Sequence, residues 1–347
     1  MISERLAVLA RLCSTALMRS HLSSTAPWVH RILHALSQRG VRTARLWSLT
    51  ELVRPLPREP TIRLGAGGIR ADTADLIGRD LYRGLFERAL LDVMDDLVDE
   101  GDVVIDVGAN IGVVTVAAAT LVGSDGGVIA LEPAPWLRSR LAANTEEFEA
   151  VRLIPCALGS DSGLLSLVRM TNTGASTVRP GAEGLEEVEV PVRTLDEVVD
   201  EFGVSRCALL KVDVEGWEAA VLDGGASSIE SGRFRSMVIE ASPEFGTVTY
   251  LERWIRDPGN AVFTIDEPTT WSRLRTRTRL RRLSDVAAVR RQTNVLIIPI
   301  DFLARVQHLV ITGAPESGTE RSRGLVGYAE RVQASVRRVF ARRPSDR

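Results

Sequence analysis

The chain contains 347 residues, enough for one large domain with extensions. Hydrophobic residues make up 45% and charged residues 25%, a balance typical of a soluble globular protein. No run approaches 18 apolar residues, so the sequence predicts no membrane-spanning helix. The net charge of −2 conceals basic ends around an acidic middle, which we expect to pair loosely and to favour solubility.

The cysteines and the first residues bear on location. Cys13, Cys156 and Cys207 are too widely spaced to suggest a disulfide framework or a zinc site. Arginines interrupt the apolar positions of the N-terminus, so we expect no secretory signal peptide. A reducing, cytoplasmic location is the simplest interpretation. The oligomeric state is left open, and a homo-oligomer is one alternative.

Three regions are predicted. Residues 1–60 form a helical N-terminal extension, because apolar residues recur at helical spacing before a proline-rich linker. Residues 61–305 form the main domain, which opens with a helix over residues 73–100 that ends at Gly101. Residues 306–347 form a basic tail.

Strand-like and helical runs alternate through the main domain, which predicts an α/β fold with a mainly parallel sheet and helices on both faces. The predicted sheet strands are residues 103–107, 128–131, 151–156, 208–212, 237–239, 262–265 and 295–298. No long helix separates the last two, so we expect an antiparallel pair there. Residues 164–168 and 188–192 predict a β insertion, and Thr194 with Glu197 a capping box.

A glycine-bearing turn follows the first of these strands. Gly108 and Gly112 lack a Cβ and let the backbone approach a ligand closely, while Asn110 tolerates unusual turn dihedrals. In open α/β sheets, ligands bind at the carboxyl ends of the strands. Asp106, just before the turn, would repel a pyrophosphate and would suit the ammonium group of a methionine moiety. The turn therefore favours S-adenosylmethionine over a dinucleotide.

An acidic residue also ends the next strand. Glu132 suits hydrogen bonds to the two hydroxyls of a ribose, in either an adenosyl or a nicotinamide cofactor. The structural alternative for both Asp106 and Glu132 is that each caps the helix that follows it. Their positions on adjacent predicted strands favour the cofactor interpretation.

Several segments together resemble the FkbM-type methyltransferases, over about residues 70–300. The resemblance implies a class I methyltransferase-like (Rossmann-like) fold and S-adenosylmethionine as cofactor, mostly for O-methylation of natural products and sugars. It also implies cofactor contacts at Cys156, Ala157 and Leu158. The matching segments are GDVVIDVGANIG (101–112), LEP (131–133), CALG (156–159), VRTLD (192–196) and LKVDVEG (210–216).

Charged side chains at two further strand ends are candidates for the reaction. Asp213 and Glu215 follow the strand that carries Lys211, the only lysine in the chain, and Glu240 ends the next strand. Two such carboxylates serve either as a general base or as ligands of a divalent cation, and we favour the base. The structural alternative is that Lys211 neutralises Asp213 or Asp106, while Glu215 favours a helix N-terminus.

Two other segments are candidates for acceptor contacts. The polar loop Asn172–Thr177 either lines the acceptor site or forms an ordinary hairpin loop. Alternate arginines over residues 273–281 would share one side of an extended run. They either attract an anionic acceptor or lie against the protein's own acidic surface, and we favour the second.

Two other functions compete with methyl transfer. One is an NAD-dependent oxidoreductase, which the missing glycine of the dinucleotide turn disfavours. The other is a non-catalytic protein that binds nucleic acid through its arginine-rich ends. The low aromatic content, 5%, and the acidic middle of the chain disfavour nucleic acid. A small-molecule acceptor is therefore the expected partner.

Overall fold

A computed structural model of the chain describes residues 56–64, 67–82, 86–169, 176–177, 186–266 and 278–311. The chain separates into two units, Met1–Val310 and Ile311–Arg347. The expected N-terminal helices, the loop residues 172–175, the arginines of residues 273–277 and the basic tail beyond Ile311 lie outside the described residues.

The described part of the chain contains fourteen strands, and the predicted strands from residue 103 onward are confirmed. They are β1 (Thr61–Leu64), β2 (Gly67–Arg70), β3 (Val103–Val107), β4 (Gly127–Leu131), β5 (Val151–Ile154), β6 (Ala157–Leu158), β7 (Gly163–Arg169), β8 (Ser176–Thr177), β9 (Glu186–Arg193), β10 (Leu209–Val212), β11 (Met237–Ala241), β12 (Asn260–Asp266), β13 (Arg279–Arg282) and β14 (Thr293–Pro299).

Nine α-helices alternate with these strands within the described ranges. They are α1 (Leu76–Tyr82), α2 (Arg88–Leu97), α3 (Val113–Val122), α4 (Pro135–Thr145), α5 (Leu195–Glu201), α6 (Glu218–Asp223), α7 (Ala226–Glu230), α8 (Thr247–Arg256) and α9 (Leu303–Val306). Described residues include no helix long and apolar enough to cross a membrane.

An eight-stranded sheet forms the centre of the domain, in the order β13-β12-β14-β11-β10-β3-β4-β5. The five strands from β11 to β5 are parallel, whereas β14 runs antiparallel to both of its neighbours. All four residues of β10 are buried, as expected for a strand that helices cover on both faces. The class I methyltransferase-like α/β fold is confirmed.

The antiparallel pair expected at the end of the sheet is formed by β12 and β14. The pair was expected at the edge of the sheet, but β14 lies between β11 and β12, and β13 is the edge strand. Since β14 runs antiparallel to both β11 and β12, these two strands point the same way. The carboxyl end of β12 therefore lies at the same edge of the sheet as those of β10 and β11.

The segment before the sheet differs from the prediction. The helix expected over residues 73–100 is two helices, α1 and α2, and Glu87 before α2 has a left-handed φ of 52°. Gly84 lies between them in the sequence, and glycine is a poor helix former. The hairpin of β1 and β2 was not predicted, although its Ile62 and Ile69 are fully buried.

The predicted β insertion is a separate four-stranded sheet in the order β6-β9-β7-β8. It leads into α5, whose capping box is confirmed. The Thr194 Oγ1 accepts a hydrogen bond from the Glu197 N–H at 3.1 Å, and the Thr194 N–H donates to Glu197 Oε2 at 3.0 Å. This reciprocal pair satisfies two donors that a helix start leaves open.

Candidate active site

Four parallel strands bring the candidate residues to one edge of the sheet. Val107 of β3 lies opposite Val212 of β10, and Val212 lies opposite Ile239 of β11. Asp213 and Glu240 directly follow the last two of these residues, so they end neighbouring strands at the same level. The register thus places the two predicted carboxylates side by side at the carboxyl edge, where α/β folds bind ligands.

The turn after β3 has the backbone that the glycine pattern predicts. The φ angles of Gly108, Asn110 and Gly112 are 81°, 53° and 94°, all in the left-handed region. A Cβ on Gly108 would lie 1.9 Å from the carbonyl oxygen of Asp213. The fold therefore requires glycine at position 108 even without a ligand, because the turn packs directly against the backbone of the candidate base Asp213.

Glu132 joins this turn to the one that follows β4. Its Oε2 accepts a hydrogen bond from the Asn110 N–H, and its Oε1 accepts one from the Ala134 N–H, both at 2.8 Å. Only 6% of the residue is exposed. Burial raises the pKa of Glu132, against the lowering effect of these two hydrogen bonds. The side chain thus has a structural role, although it holds the backbone of two turns and does not cap α4, whose N-cap residue is Ala134.

The two turns retain hydrogen-bonding capacity that fits an adenosyl cofactor. Each carboxylate oxygen of Glu132 has a second lone-pair position beyond the backbone bond that it accepts. The Oδ1 atom of Asn110 is buried without a hydrogen-bond partner among the described residues. A buried acceptor of this kind costs free energy unless a donor reaches it, and the hydroxyl and amino groups of S-adenosylmethionine are such donors.

Asp106, Lys211 and Asp213 form a row of charged side chains across β3 and β10, of which the first two are buried. The Nζ of Lys211 lies 3.4 Å from Asp106 Oδ1 and 3.3 Å from Asp213 Oδ2, and it donates a hydrogen bond to the Gly108 carbonyl at 3.1 Å. Asp106 Oδ2 also accepts a bond from the Thr115 hydroxyl at 2.6 Å. The structure thus supports the interpretation of Lys211 as the partner of both aspartates.

Asp213 is the most solvent-exposed of these three charged side chains. The side chains of Asp106 and Lys211 are 0% and 5% exposed, whereas that of Asp213 is 22% exposed. Burial alone would lower the pKa of Lys211, but the negative charges of the two aspartates and of Glu87 outweigh it and raise the pKa. Lys211 therefore stays charged behind Asp213, and Asp213 is the member of this row that can meet an acceptor. The contact expected between Asp106 and the cofactor ammonium remains a proposal.

Glu240 has a different environment from Asp213. Burial and the nearby carboxylates of Asp213, Glu215 and Glu218 raise the pKa of Glu240 to about 9, although a hydrogen bond with Gln292 opposes the change. Glu240 therefore keeps its proton at neutral pH and can donate a hydrogen bond. A protonated carboxyl beside the candidate base is suited to donate a hydrogen bond to a bound acceptor.

This difference predicts how stability depends on pH. Between about pH 4.5 and about pH 9, folded Glu240 keeps a proton that the unfolded chain has released, so stability should fall as the pH rises. Replacing Glu240 with Gln removes this contribution, so the Tm of the variant should exceed that of the wild type increasingly toward pH 9. We expect a difference of several degrees, since 1 kcal/mol corresponds to about 2–4 °C in a domain of this size.

Scanning fluorimetry from pH 5 to pH 9 measures this effect. Glu244→Gln is the matched control, because Glu244 is an exposed carboxyl between β11 and α8. Parallel Tm curves for the wild type and Glu240→Gln would contradict the assignment of a protonated Glu240.

The segment from Cys156 to Leu158 crosses from β5 to the second sheet. All three side chains are buried, and burial raises the pKa of the Cys156 thiol to about 11. The thiol is therefore neutral at physiological pH and is not a nucleophile. Contacts between these residues and the cofactor remain a proposal. They would be made by the backbone and by apolar packing.

Three residues at this edge were missed by the sequence analysis. Glu218, 1% exposed, accepts hydrogen bonds from the backbone of the loop after β10. Gln292 reaches Glu240, and Thr115 reaches Asp106. Glu218 lies two residues beyond the matching segment LKVDVEG, which was the available signal, whereas Gln292 comes from a distant part of the chain.

The described part of the arginine row forms the edge strand β13. Leu280 is fully buried, while Arg279 and Arg281 lie on the other side, as alternation predicts. Arg281 Nε lies 3.0 Å from Asp266 Oδ2 at the end of β12. At least this arginine pairs with the protein's own acidic surface, which was the favoured interpretation of the row.

The fold is that of the class I methyltransferase-like α/β proteins, and the two turns at the carboxyl edge of its sheet have donors and acceptors that fit an adenosyl cofactor. A comparison with family models matches residues 106–262 to the methyltransferase FkbM domain.

Three methyltransferases are similar in sequence to this chain. The hexuronic acid methyltransferase AglP of Haloferax volcanii is 32% identical over 182 residues, which are 51% of this chain and 69% of AglP. The 31-O-demethyl-FK506 methyltransferase FkbM of Streptomyces tacrolimicus is 30% identical and is covered to 91% of its length by 60% of this chain. The methyltransferase sdnD of Sordaria araneosa is 27% identical, over 52% of this chain and 80% of its own length.

The chain belongs to the FkbM methyltransferase family. It is an S-adenosylmethionine-dependent methyltransferase. Glu132 alone fitted either an adenosyl or a nicotinamide cofactor, and the family membership selects S-adenosylmethionine.

Proposed function

We propose that this enzyme methylates a hydroxyl group of a small molecule, with Asp213 as the general base. The proposal rests on the row of charged side chains formed by Asp106, Lys211 and Asp213 at the end of β10. This row holds one partly exposed carboxylate, Asp213, at the carboxyl edge and places a buried, charged Lys211 behind it. When bound, S-adenosylmethionine supplies an electrophilic methyl group. Asp213 accepts the proton that the acceptor hydroxyl loses as it is methylated.

We assign roles to the other charged side chains of the site from the contacts that they make. Lys211 and Asp106 orient Asp213, because Lys211 contacts both carboxylates and the Gly108 carbonyl. Glu240, protonated, donates a hydrogen bond to the acceptor, and Glu215 contributes negative charge beside it. Glu132, Asn110 and the glycine turn hold the cofactor.

The acceptor class is proposed from the relatives. One is described as a hexuronic acid methyltransferase and another as a 31-O-demethyl-FK506 methyltransferase, so both a sugar and a natural product are represented. We propose a hydroxylated sugar or natural product as the acceptor, and oxygen rather than nitrogen as the methylated atom. We propose in addition that the enzyme is cytoplasmic and that its methyltransferase domain, residues 61–305, lies between an N-terminal extension, residues 1–60, and a basic tail, residues 306–347.

Mass spectrometry tests the proposed reaction. The enzyme is incubated with S-adenosylmethionine and either glucuronic acid or a panel of hydroxylated natural products, with boiled enzyme as the control. We expect a product heavier by one CH2 and an equal amount of S-adenosylhomocysteine, with the added methyl as a methoxy group in the NMR spectrum. Methylation at nitrogen only would contradict the hydroxyl assignment. Loss of activity with EDTA and its recovery with magnesium would indicate that the carboxylates bind a divalent cation and that Asp213 is not a general base.

A further inference from the structure

The loop that carries Asp213 has an unusual backbone. Glu215 has a φ of 56° and Gly216 a φ of 101°, so two consecutive residues lie in the left-handed region. For a residue other than glycine this conformation is unfavourable and persists only where the surroundings impose it. A Cβ on Gly216 would lie 2.8 Å from the Phe245 ring, so one side of the loop is closely packed.

A buried carboxylate binds the inside of this loop. Oε1 of Glu218 accepts hydrogen bonds from the N–H groups of Val214 and Gly216, at 3.1 Å and 3.0 Å. The other oxygen, Oε2, accepts one from the Thr247 hydroxyl at 3.2 Å, and Thr247, the first residue of α8, is fully buried. The carboxylate therefore connects the loop to the start of α8.

The Asp213 backbone is held from the opposite side. Its N–H donates to the Val107 carbonyl at 3.1 Å, and its own carbonyl packs against Gly108. The glycine turn thus fixes one end of the loop, and Glu218 fixes the two N–H groups that follow Asp213. Since Asp213 lies between these anchors, the direction of its side chain depends on both.

We infer that Glu218 is a positioning residue for the proposed general base. It holds the left-handed loop 213–217 in the conformation that directs Asp213 toward the acceptor, without touching the acceptor itself. The inference rests on the proposed function for the role of Asp213, but the hydrogen bonds that it invokes are independent of any acceptor.

Amide hydrogen exchange measured by NMR tests the hydrogen bonds without an acceptor. In the wild type, the amides of Val214 and Gly216 should exchange at least about tenfold more slowly than the amide of Gly246, an exposed residue for which the structure gives no backbone acceptor. Equal rates would overturn the inference, whether or not the enzyme methylates the proposed acceptors.

Two variants of Glu218 test the effect on catalysis. In Glu218→Gln, the side-chain oxygen still accepts both N–H groups and the amide donates to Thr247, so kcat should stay within about threefold of the wild type. In Glu218→Ala, the loop loses its acceptor, so kcat should fall by about 10-fold to 100-fold while KM and the Kd of S-adenosylhomocysteine change much less. Glu244→Ala, which removes an exposed carboxyl nearby, should keep wild-type kcat.

The outcomes separate a positioning role from a merely structural one. A folded Glu218→Ala enzyme with wild-type kcat, or Glu218→Gln as impaired as Glu218→Ala, would overturn the inference. If Glu218→Ala does not fold, Glu218→Asp replaces it, because the shorter side chain cannot reach both N–H groups and Thr247 together. If the wild type shows slow exchange at both amides but methylates no hydroxyl, the proposed reaction fails while the loop contacts stand.

Discussion

Replacing Asp213 with Asn is expected to lower kcat by about 10²-fold to 10⁴-fold, the usual contribution of a general base. The amide has nearly the same shape but does not accept the acceptor's proton. Because Asp213 follows β10, whereas the turns proposed to hold the cofactor follow β3 and β4, the Kd of S-adenosylhomocysteine should change by less than about threefold. Single-turnover kinetics and calorimetry measure the two quantities separately.

Asp266→Asn is a matched control for this experiment. Asp266 ends β12 at the same edge of the sheet, but it pairs with Arg281 at the surface, 3.0 Å away. A surface ion pair contributes about 0–1 kcal/mol to stability, so the control should fold and keep its kcat. Full turnover in Asp213→Asn would remove Asp213 from the mechanism.

Replacing Glu132 with Ala is expected to weaken binding of S-adenosylhomocysteine by about 2 kcal/mol or more, or roughly 30-fold in Kd. Two losses combine in this variant. The proposed hydrogen bonds to the ribose disappear, and the N–H groups of Asn110 and Ala134 lose their acceptor. The second loss should also lower Tm, since an unsatisfied buried donor costs about 1–3 kcal/mol.

Glu132→Gln separates these two losses. Its single carbonyl oxygen can accept only one of the two closely placed N–H groups in the present arrangement, so both stability and affinity should lie between the wild type and Glu132→Ala. Glu147→Ala, at an exposed position after α4, is the control for loss of one negative charge. Unchanged affinity in a folded Glu132→Ala enzyme would contradict the ribose assignment.

The sequence predicts most of the fold from residue 103 onward, because long apolar strands and capped helices leave strong local signals. The capping box of Thr194 and Glu197 is one such signal, and its hydrogen bonds are present. The β1–β2 hairpin was missed because its strands have four residues each and their burial depends on packing against other parts of the chain. The insertion of β14 between β11 and β12 is likewise a tertiary feature without a local pattern.

The candidate site was predictable in position more than in detail. Strand ends identified Asp213 and Glu240, and the parallel register places them side by side. The sequence left open whether Lys211 meets Asp106 or Asp213, and the structure places it between them because β3 and β10 are adjacent. The bonds of Glu218 to the Asp213 loop and to Thr247 depend on three-dimensional packing, so no spacing rule indicates them.

We propose that the turns after β3 and β4 hold the S-adenosylmethionine of this enzyme. Calorimetric titration of the full chain with S-adenosylhomocysteine and, separately, with NAD tests it most directly and requires no acceptor. We predict saturable binding of one S-adenosylhomocysteine per chain, weakened about 30-fold in Glu132→Ala, and no measurable binding of NAD. Binding of NAD with no binding of S-adenosylhomocysteine would contradict the claim.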